Sequence, residues 1–166
     1  MPTVSAAIRG SLTRVPEQSR PAFSRALIAL NGGPSDAAIM RLVAEMARSG
    51  GTQLIGVHVV EIDWTLPIDT DVAGSSDNAQ RILDVAEGVA EASKQSLETV
   101  LLQAREVGAA IVDEAIERGA DLVVVGLPYR KRFGGDFAIG RTIPYVLKNA
   151  PCAVWVVRDP MPEETA

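Results

Sequence analysis

The stretch Asp-Leu-Val-Val-Val-Gly at residues 121–126 decides the fold, because it is a strand-length apolar run with almost no polar interruption. A strand of this pattern is covered on both faces, which is typical of the parallel sheets of α/β proteins. Working outward from it, four further runs predict strands at residues 25–30, 54–60, 96–103 and 152–157. The run at 96–103 is the most ambiguous of these, since a continuation of the preceding helix fits it as well.

Amphipathic helices are predicted between the strands, since apolar residues recur there at helical spacing. Ser35 stands where it can cap the first helix. The third helix is predicted over residues 108–119, with Ile111, Val112 and Ala115 on its apolar side. The other predicted apolar stripes are Ile39, Leu42, Val43 and Met46 in the first helix, Ile82, Val85, Ala86 and Val89 in the second, and Ile143, Val146, Leu147 and Ala150 in the fourth.

The regular alternation of strands and helices predicts an α/β fold, a three-layer doubly wound five-stranded parallel sheet with helices on both sides. A chain of 166 residues is long enough for one well-developed core. We therefore predict a single domain over residues 24–158. A flexible N-terminal tail (1–23), rich in proline and serine, and a C-terminal tail (159–166) flank it.

Composition excludes several classes of function. The net charge of −5 makes the chain a poor partner for duplex nucleic acid, and the 4% aromatic content argues against a stacking platform for single strands. Cys152 is the only cysteine, so neither an intramolecular disulfide nor a zinc finger is predicted. No apolar run approaches the roughly 20 residues of a membrane helix, and no signal peptide is apparent. We expect a cytoplasmic protein without membrane insertion or nucleic-acid partner.

Two loops at the carboxyl ends of predicted strands are built for close backbone approach. They are residues 31–34 (Asn-Gly-Gly-Pro) and residues 126–142. Ligands of such sheets bind beyond the carboxyl ends of the strands, where the strand order reverses. The second loop carries four basic residues and one acid, a local charge of +3, which favours an anionic ligand or partner; they are Arg130, Lys131, Arg132, Arg141 and Asp136.

The second loop delivers Gly140, Arg141 and Thr142 to the start of a predicted helix. Exposed backbone N–H groups and the helix dipole favour phosphate at such a place. Residues 135–142 read G-x-x-x-x-G-R-T, one residue away from the phosphate-loop pattern, although the preceding strand ends too early for a true phosphate loop. Alternatively, Gly140 simply begins a helix that Thr142 caps, and residues 134–135 form a hinge. His58 and Cys152 are predicted to be core residues.

The sequence between the tails resembles a universal stress protein domain. The most specific segment is Val-Leu-Lys-Asn-Ala-Pro-Cys-Ala-Val at residues 146–154, which follows the strand at 121–126 and the glycine loop. The sequences of residues 126–130 and 143–152 are also similar to those of the stress-protein domains attached to amino-acid permeases. The resemblance covers residues 24–158. It implies an adenine nucleotide α-hydrolase-like fold with strand order 3-2-1-4-5, in which the order reverses between the first and fourth strands.

The resemblance also implies a ligand, an adenine nucleotide such as ATP or AMP, with or without Mg²⁺. Ala29 and Leu30 would line the adenine, and backbone groups near Val59 would bond its edge. Asn31 stands where the family commonly has a ribose-binding aspartate, and it keeps one acceptor oxygen for a hydroxyl. The remaining residues implied in nucleotide binding follow the fourth strand: Gly126, Arg130, Gly134, Gly135, Gly140, Arg141 and Thr142.

The phosphate segment departs from the family pattern G-x2-G-x9-G-[ST] at three points. Tyr129 occupies the second glycine position, Gly140 comes one residue late, and Arg141 replaces the serine or threonine. Tyr129 could block the close approach that a glycine allows. Arg130 and Arg141 could instead supply charge-assisted contacts to phosphate.

We expect a regulatory nucleotide-binding module rather than an enzyme, and a homodimer joined through the final strand, residues 152–157, where Trp155 would help to bury the join. One alternative is an interaction domain that regulates a transporter or another partner through its basic loop. The other is a weak ATP hydrolase acting at the Gly140-Arg141-Thr142 helix start, although no general base is evident.

Overall fold

The computed structural model describes residues 22–70, 74–129 and 138–161. The five predicted strands are present, and the ambiguous run is a strand rather than a continued helix. The strands are β1 (Arg25–Leu30), β2 (Gln53–Glu61), β3 (Leu97–Ala104), β4 (Leu122–Leu127) and β5 (Ala153–Arg158). The helices are α1 (Asp36–Met46), which runs into a short 3₁₀ turn (Ala47–Ser49), α2 (Ser75–Ala92), α3 (Val107–Glu117) and α4 (Thr142–Asn149).

The strands form one parallel sheet in the order β3-β2-β1-β4-β5, which confirms the predicted fold and strand order. The register places Ala29 of β1 opposite Val57 of β2 on one side and Val125 of β4 on the other. Chain order therefore reverses between β1 and β4, which lie side by side in the centre of the sheet.

The core has two parts, one on each face of the sheet. Helices α1 and α2 cover one face, where Ile28 and Val124 pack against Ile39 and Met40. Helices α3 and α4 cover the other face, and Val123 is inaccessible to solvent beneath them. Since burying one such side chain stabilises a fold by about 1.5–3 kcal/mol, both layers contribute to holding the central strands together.

The buried faces of two helices differ from the predicted stripes. In α1, Ser35 occupies the N-cap position but its side chain makes no capping hydrogen bond, and Leu42 and Met46 are exposed. In α2 the side chain of Val85 is 60% exposed. The buried face of α2 is instead largely alanine, because small residues let the helix approach the sheet and α1 closely: Ala79, Leu83, Ala86 and Ala90. In α4, Leu147 is likewise exposed.

The amino-terminal edge of the sheet is tied together by Asp121. Its carboxylate accepts hydrogen bonds from the backbone N–H groups of Ser24 and Arg25, each at 2.8 Å. Phe23, which the sequence analysis assigns to the tail, packs edge-on against Trp155 with ring centroids 5.0 Å apart. Trp155 thus contacts an aromatic ring of its own chain. The sequence had predicted for it only a contact at a dimer interface.

Helices α3 and α4 approach each other closely at Gly108. A Cβ atom at this position would lie 3.0 Å from Cβ of Tyr145 and 3.2 Å from the carbonyl oxygen of Thr142. The absence of a side chain at Gly108 therefore sets the position of the first turn of α4 relative to α3.

A pair of matched substitutions tests this packing constraint. Gly88→Ala in α2 has open space around the new methyl group, so we expect it to raise the free energy of unfolding by about 0.5–1 kcal/mol through helix propensity. Gly108→Ala should instead lower it by about 1–3 kcal/mol, because the methyl group overpacks the α3–α4 contact. Urea denaturation measures both values. Equal stabilisation by the two substitutions would contradict the packing argument.

Candidate functional site

A cavity of about 420 Å³ opens above the adjacent carboxyl ends of β1 and β4. It exists because α1 leaves β1 toward one face of the sheet and α4 follows β4 on the other, so neither helix covers the strand ends between them. The volume lies within the roughly 300–1,000 Å³ of small-molecule sites. The apolar walls are Ala29, Leu30, Val57, Val59, Val107, Ile111, Val125, Leu127 and Ile143; the polar side chains are Asn31, His58, Glu61, Arg141 and Thr142.

The floor of the cavity is apolar and comes from three neighbouring strands. Ala29, Val57 and Val125 are register partners, so their side chains stand in one row on the same face of the sheet. Ala29 is the smallest of the three and lies in the middle of the row. The middle of the floor is therefore its lowest point, where a flat apolar group has room.

The turn after β1 is fixed by Asp36, the first residue of α1. Its nearly buried carboxylate accepts hydrogen bonds from the backbone N–H of Gly32 at 2.8 Å and from that of Asn31 at 3.4 Å. Gly32 has φ +78°, a conformation that favours glycine. Burial raises the pKa of Asp36 above its usual value, although both hydrogen bonds and the nearby His58 act in the opposite direction. Asp36 thus fixes the conformation of the turn that forms the cavity wall next to β1.

Asn31 uses its side-chain oxygen within this same turn. Oδ1 accepts a hydrogen bond from the backbone N–H of Gly33 at 2.7 Å. The acceptor that the sequence analysis assigns to a ligand hydroxyl is therefore already engaged, and the side-chain NH₂ is the group that can donate to one. The residue lines the cavity as predicted, but its chemistry differs from that of a carboxylate at the same place.

His58 lies on the cavity wall rather than in the core. Its Nδ1 is 2.8 Å from the carbonyl oxygen of Leu30, its register partner across β1 and β2. Because a carbonyl oxygen only accepts, Nδ1 carries the proton, and in the neutral ring Nε2 is an acceptor. His58 is thus hydrogen-bonded within the chain but half-buried rather than in the core, since an apolar strand sequence does not show that the end of the strand borders a cavity. Cys152 is half-buried, and burial raises the pKa of its thiol.

The start of α4 borders the cavity opposite the strand ends. Gly140 has φ +77° and open space around it, Arg141 is the N-cap residue, and the helix begins at Thr142. The alternative in which Thr142 caps the helix is therefore wrong. The backbone N–H groups of Thr142 and Ile143 belong to the first turn and have no acceptor within the helix. The next residue, Pro144, has no N–H, so this helix start offers fewer donors than usual.

Arg141, which lines the cavity, lies between two carboxylates. Its guanidinium is 3.6 Å from Glu61, the last residue of β2, and 4.0 Å from Glu106, the N-cap of α3. The arginine side chain is 81% exposed, so each ion pair is worth only about 0–1 kcal/mol. The same three residues line a neighbouring recess of about 230 Å³ with Gly108, Thr142 and Tyr145.

Tyr129 does not line the cavity, and the guanidinium of Arg158 on β5 lies 5.4 Å from the centre of its ring. The predicted obstruction by this side chain is therefore absent.

At Gly126, a Cβ atom would lie 2.8 Å from Cδ1 of Ile39, so a glycine here allows α1 to pack on the sheet.

Eight predicted site residues line one cavity: Ala29, Leu30, Asn31, Val59, Gly126, Gly140, Arg141 and Thr142. Three others, Arg130, Gly134 and Gly135, lie outside the described residues, as does the basic segment 130–132 of the interaction-domain alternative. His58 and Glu61 line the cavity but were not predicted to do so. Their position at the carboxyl end of β2, next to β1, is the signal that could have indicated them. Within the described ranges, no cluster of three or more His, Cys, Asp or Glu residues could hold a metal ion.

A doubly wound parallel sheet with a ligand-sized cavity at its switch point defines the class of α/β folds in which ligands bind beyond the carboxyl ends of the strands. Comparison with known proteins gives the family. The model of the universal stress protein family matches residues 22–158, and the chain belongs to that family. Nothing in this match bears on the permease-attached subgroup, which stays a prediction. No curated protein sequence matches the chain significantly.

Solved structures of the family share the fold. A universal stress protein from Archaeoglobus fulgidus is 23% identical with a TM-score of 0.66, covering 80% of this chain and 97% of that one. The universal stress protein from Archaeoglobus fulgidus in complex with dAMP is 21% identical (TM-score 0.64; 80% and 96%). A universal stress protein in complex with cAMP is 19% identical (TM-score 0.63; 82% and 97%).

In the part of the chain that the structure describes, no helix is long and apolar enough to cross a membrane.

Proposed function

We propose that this protein is a regulatory module that binds an adenine nucleotide in the cavity between β1 and β4 and is not an enzyme. The observation that carries the proposal is the division of one cavity into an apolar floor and a polar end. The floor is the row Ala29, Val57 and Val125, and the polar end is the start of α4 at Thr142. Relatives with this fold are known in complex with dAMP and with cAMP.

In this proposal the adenine ring lies on the apolar row beside Ala29, and backbone groups near Val59 bond its edge. The phosphate points toward the start of α4, where the N–H groups of Thr142 and Ile143 and the positive end of the helix dipole favour an anion. Asn31 also lines the cavity, and its NH₂ group would donate to a ribose hydroxyl.

Filling the floor tests the proposal. Ala29→Leu adds bulk at the lowest point of the row, so we expect it to weaken the binding of adenosine and AMP by at least about tenfold, since the ring can no longer reach the sheet. Isothermal titration calorimetry with adenosine, AMP, ADP, ATP and cAMP measures the affinities.

The matched control is Ala92→Leu, the same change at an exposed position near the end of α2. It should leave every affinity unchanged. The proposal fails if the wild-type protein binds none of these ligands, or if Ala29→Leu, shown to be folded by circular dichroism, binds them as tightly as the wild type does.

We further propose that two copies of the chain pair through β5. This strand lies at one edge of the sheet, bonded among the described residues only to β4, and Val156 on it is an exposed apolar side chain. An edge strand has backbone N–H and C=O groups available for pairing with a second chain.

A lysine on this edge should prevent the pairing. In Val156→Lys two like charges would meet across a symmetric join, so we expect a monomer where the wild type sediments as a dimer in analytical ultracentrifugation. Val85→Lys, at an exposed valine of α2, should remain dimeric. A wild-type monomer at all concentrations, or a dimeric Val156→Lys, would rule out this interface.

A further inference from the structure

Two carboxylates share one guanidinium beside the cavity, since Glu61 lines the cavity and Glu106 lines the neighbouring recess. Arg141 is the only arginine or lysine among the described residues that line the cavity, and Glu61 and Glu106 both lie within ion-pairing distance of it. The local charge of this group of three is therefore negative, whereas the sequence of the loop that ends in Arg141 indicates a positive phosphate site.

We propose that Glu61 and Glu106 set the specificity of the site by disfavouring ligands in proportion to their negative charge. The proposal rests on the proposed function, because it assumes that a nucleotide occupies the cavity. It assigns to this chain a preference for ligands with a single phosphate, linear or cyclic, over triphosphates. The two glutamates act on the ligand's charge and not on its base.

The positions of the three side chains support this role. Glu61 ends β2, Glu106 precedes α3 and Arg141 precedes α4, so three separate chain segments bring their charges to the same edge of the sheet. The side chains of Glu61 and Glu106 are 55% and 50% exposed, which leaves them hydrated and able to move. A ligand phosphate at the start of α4 would compete with both carboxylates for Arg141.

The donors of α4 do not offset this competition. Pro144 removes one N–H group from the first turn, so the helix start gives the ligand the N–H groups of Thr142 and Ile143. A phosphate that Arg141 contacts would therefore lie near Glu61 and Glu106 as well. At physiological salt, charges this close are only partly screened, because the Debye length is about 8 Å. In this proposal each additional phosphate therefore adds a negative charge that Glu61 and Glu106 repel.

Neutral replacements of the two acids test the proposal. Calorimetric affinities for adenosine, cAMP, AMP and ATP, without magnesium, are measured for the wild type, Glu61→Gln, Glu106→Gln and the double variant. We expect the affinity for adenosine to change by less than about twofold, that for AMP to rise a few-fold, and that for ATP to rise on the order of tenfold in the double variant. High salt should reduce the gain for ATP.

The control is Glu45→Gln, which removes the exposed ion pair between Glu45 and Arg48 on α1 and should change no affinity. An unchanged ratio of ATP to AMP affinity in the double variant would overturn the charge-selection role, as would equal gains for adenosine and ATP, which would indicate an effect on cavity shape. In both cases adenosine binding by the wild type leaves the proposed function standing. Absence of binding by every protein to every ligand would defeat the proposed function itself.

Discussion

The reversal of chain order between β1 and β4 is the constraint on which the rest of the structure depends. Because the two strands are neighbours whose following helices pack on opposite faces, the sheet edge above them stays uncovered. Two local features keep this opening in shape. Asp36 holds the turn after β1 by accepting two backbone hydrogen bonds, and Gly108 lets α3 fix the first turn of α4. Both are contacts within the chain itself, so the opening is a property of the fold.

The fold was predictable from the sequence because its strands are buried on both faces. Continuous apolar runs such as residues 121–126 indicate a parallel sheet without further information. The strand order came only from the resemblance to a family, since alternation of elements does not specify it. The buried faces of the helices were harder to predict. In α2, Val85 is exposed and Ala86 is buried, because close packing of the helix on its neighbours favours small side chains. A search for apolar periodicity favours large side chains instead.

The candidate site was predictable where it depends on backbone position and unpredictable where it depends on side-chain partners. Glycines and strand ends such as Ala29 and Gly140 line the cavity because the carboxyl ends of neighbouring parallel strands share one edge. The engagement of Asn31 with Gly33, and that of Arg141 with two glutamates, could not be predicted. Those contacts depend on the relative positions of segments that are far apart in the sequence or on the rotamer of one side chain.

The central claim is that an adenine nucleotide occupies the cavity between β1 and β4, and amide NMR tests it most directly. Titration of the ¹⁵N-labelled protein with AMP should move the backbone amide signals of Asn31, Val59, Thr142 and Ile143 the most, with signals of the amino-terminal sheet edge around Asp121 unchanged. Saturating AMP that moves no signal, or that moves only signals of the β5 edge, would contradict the account.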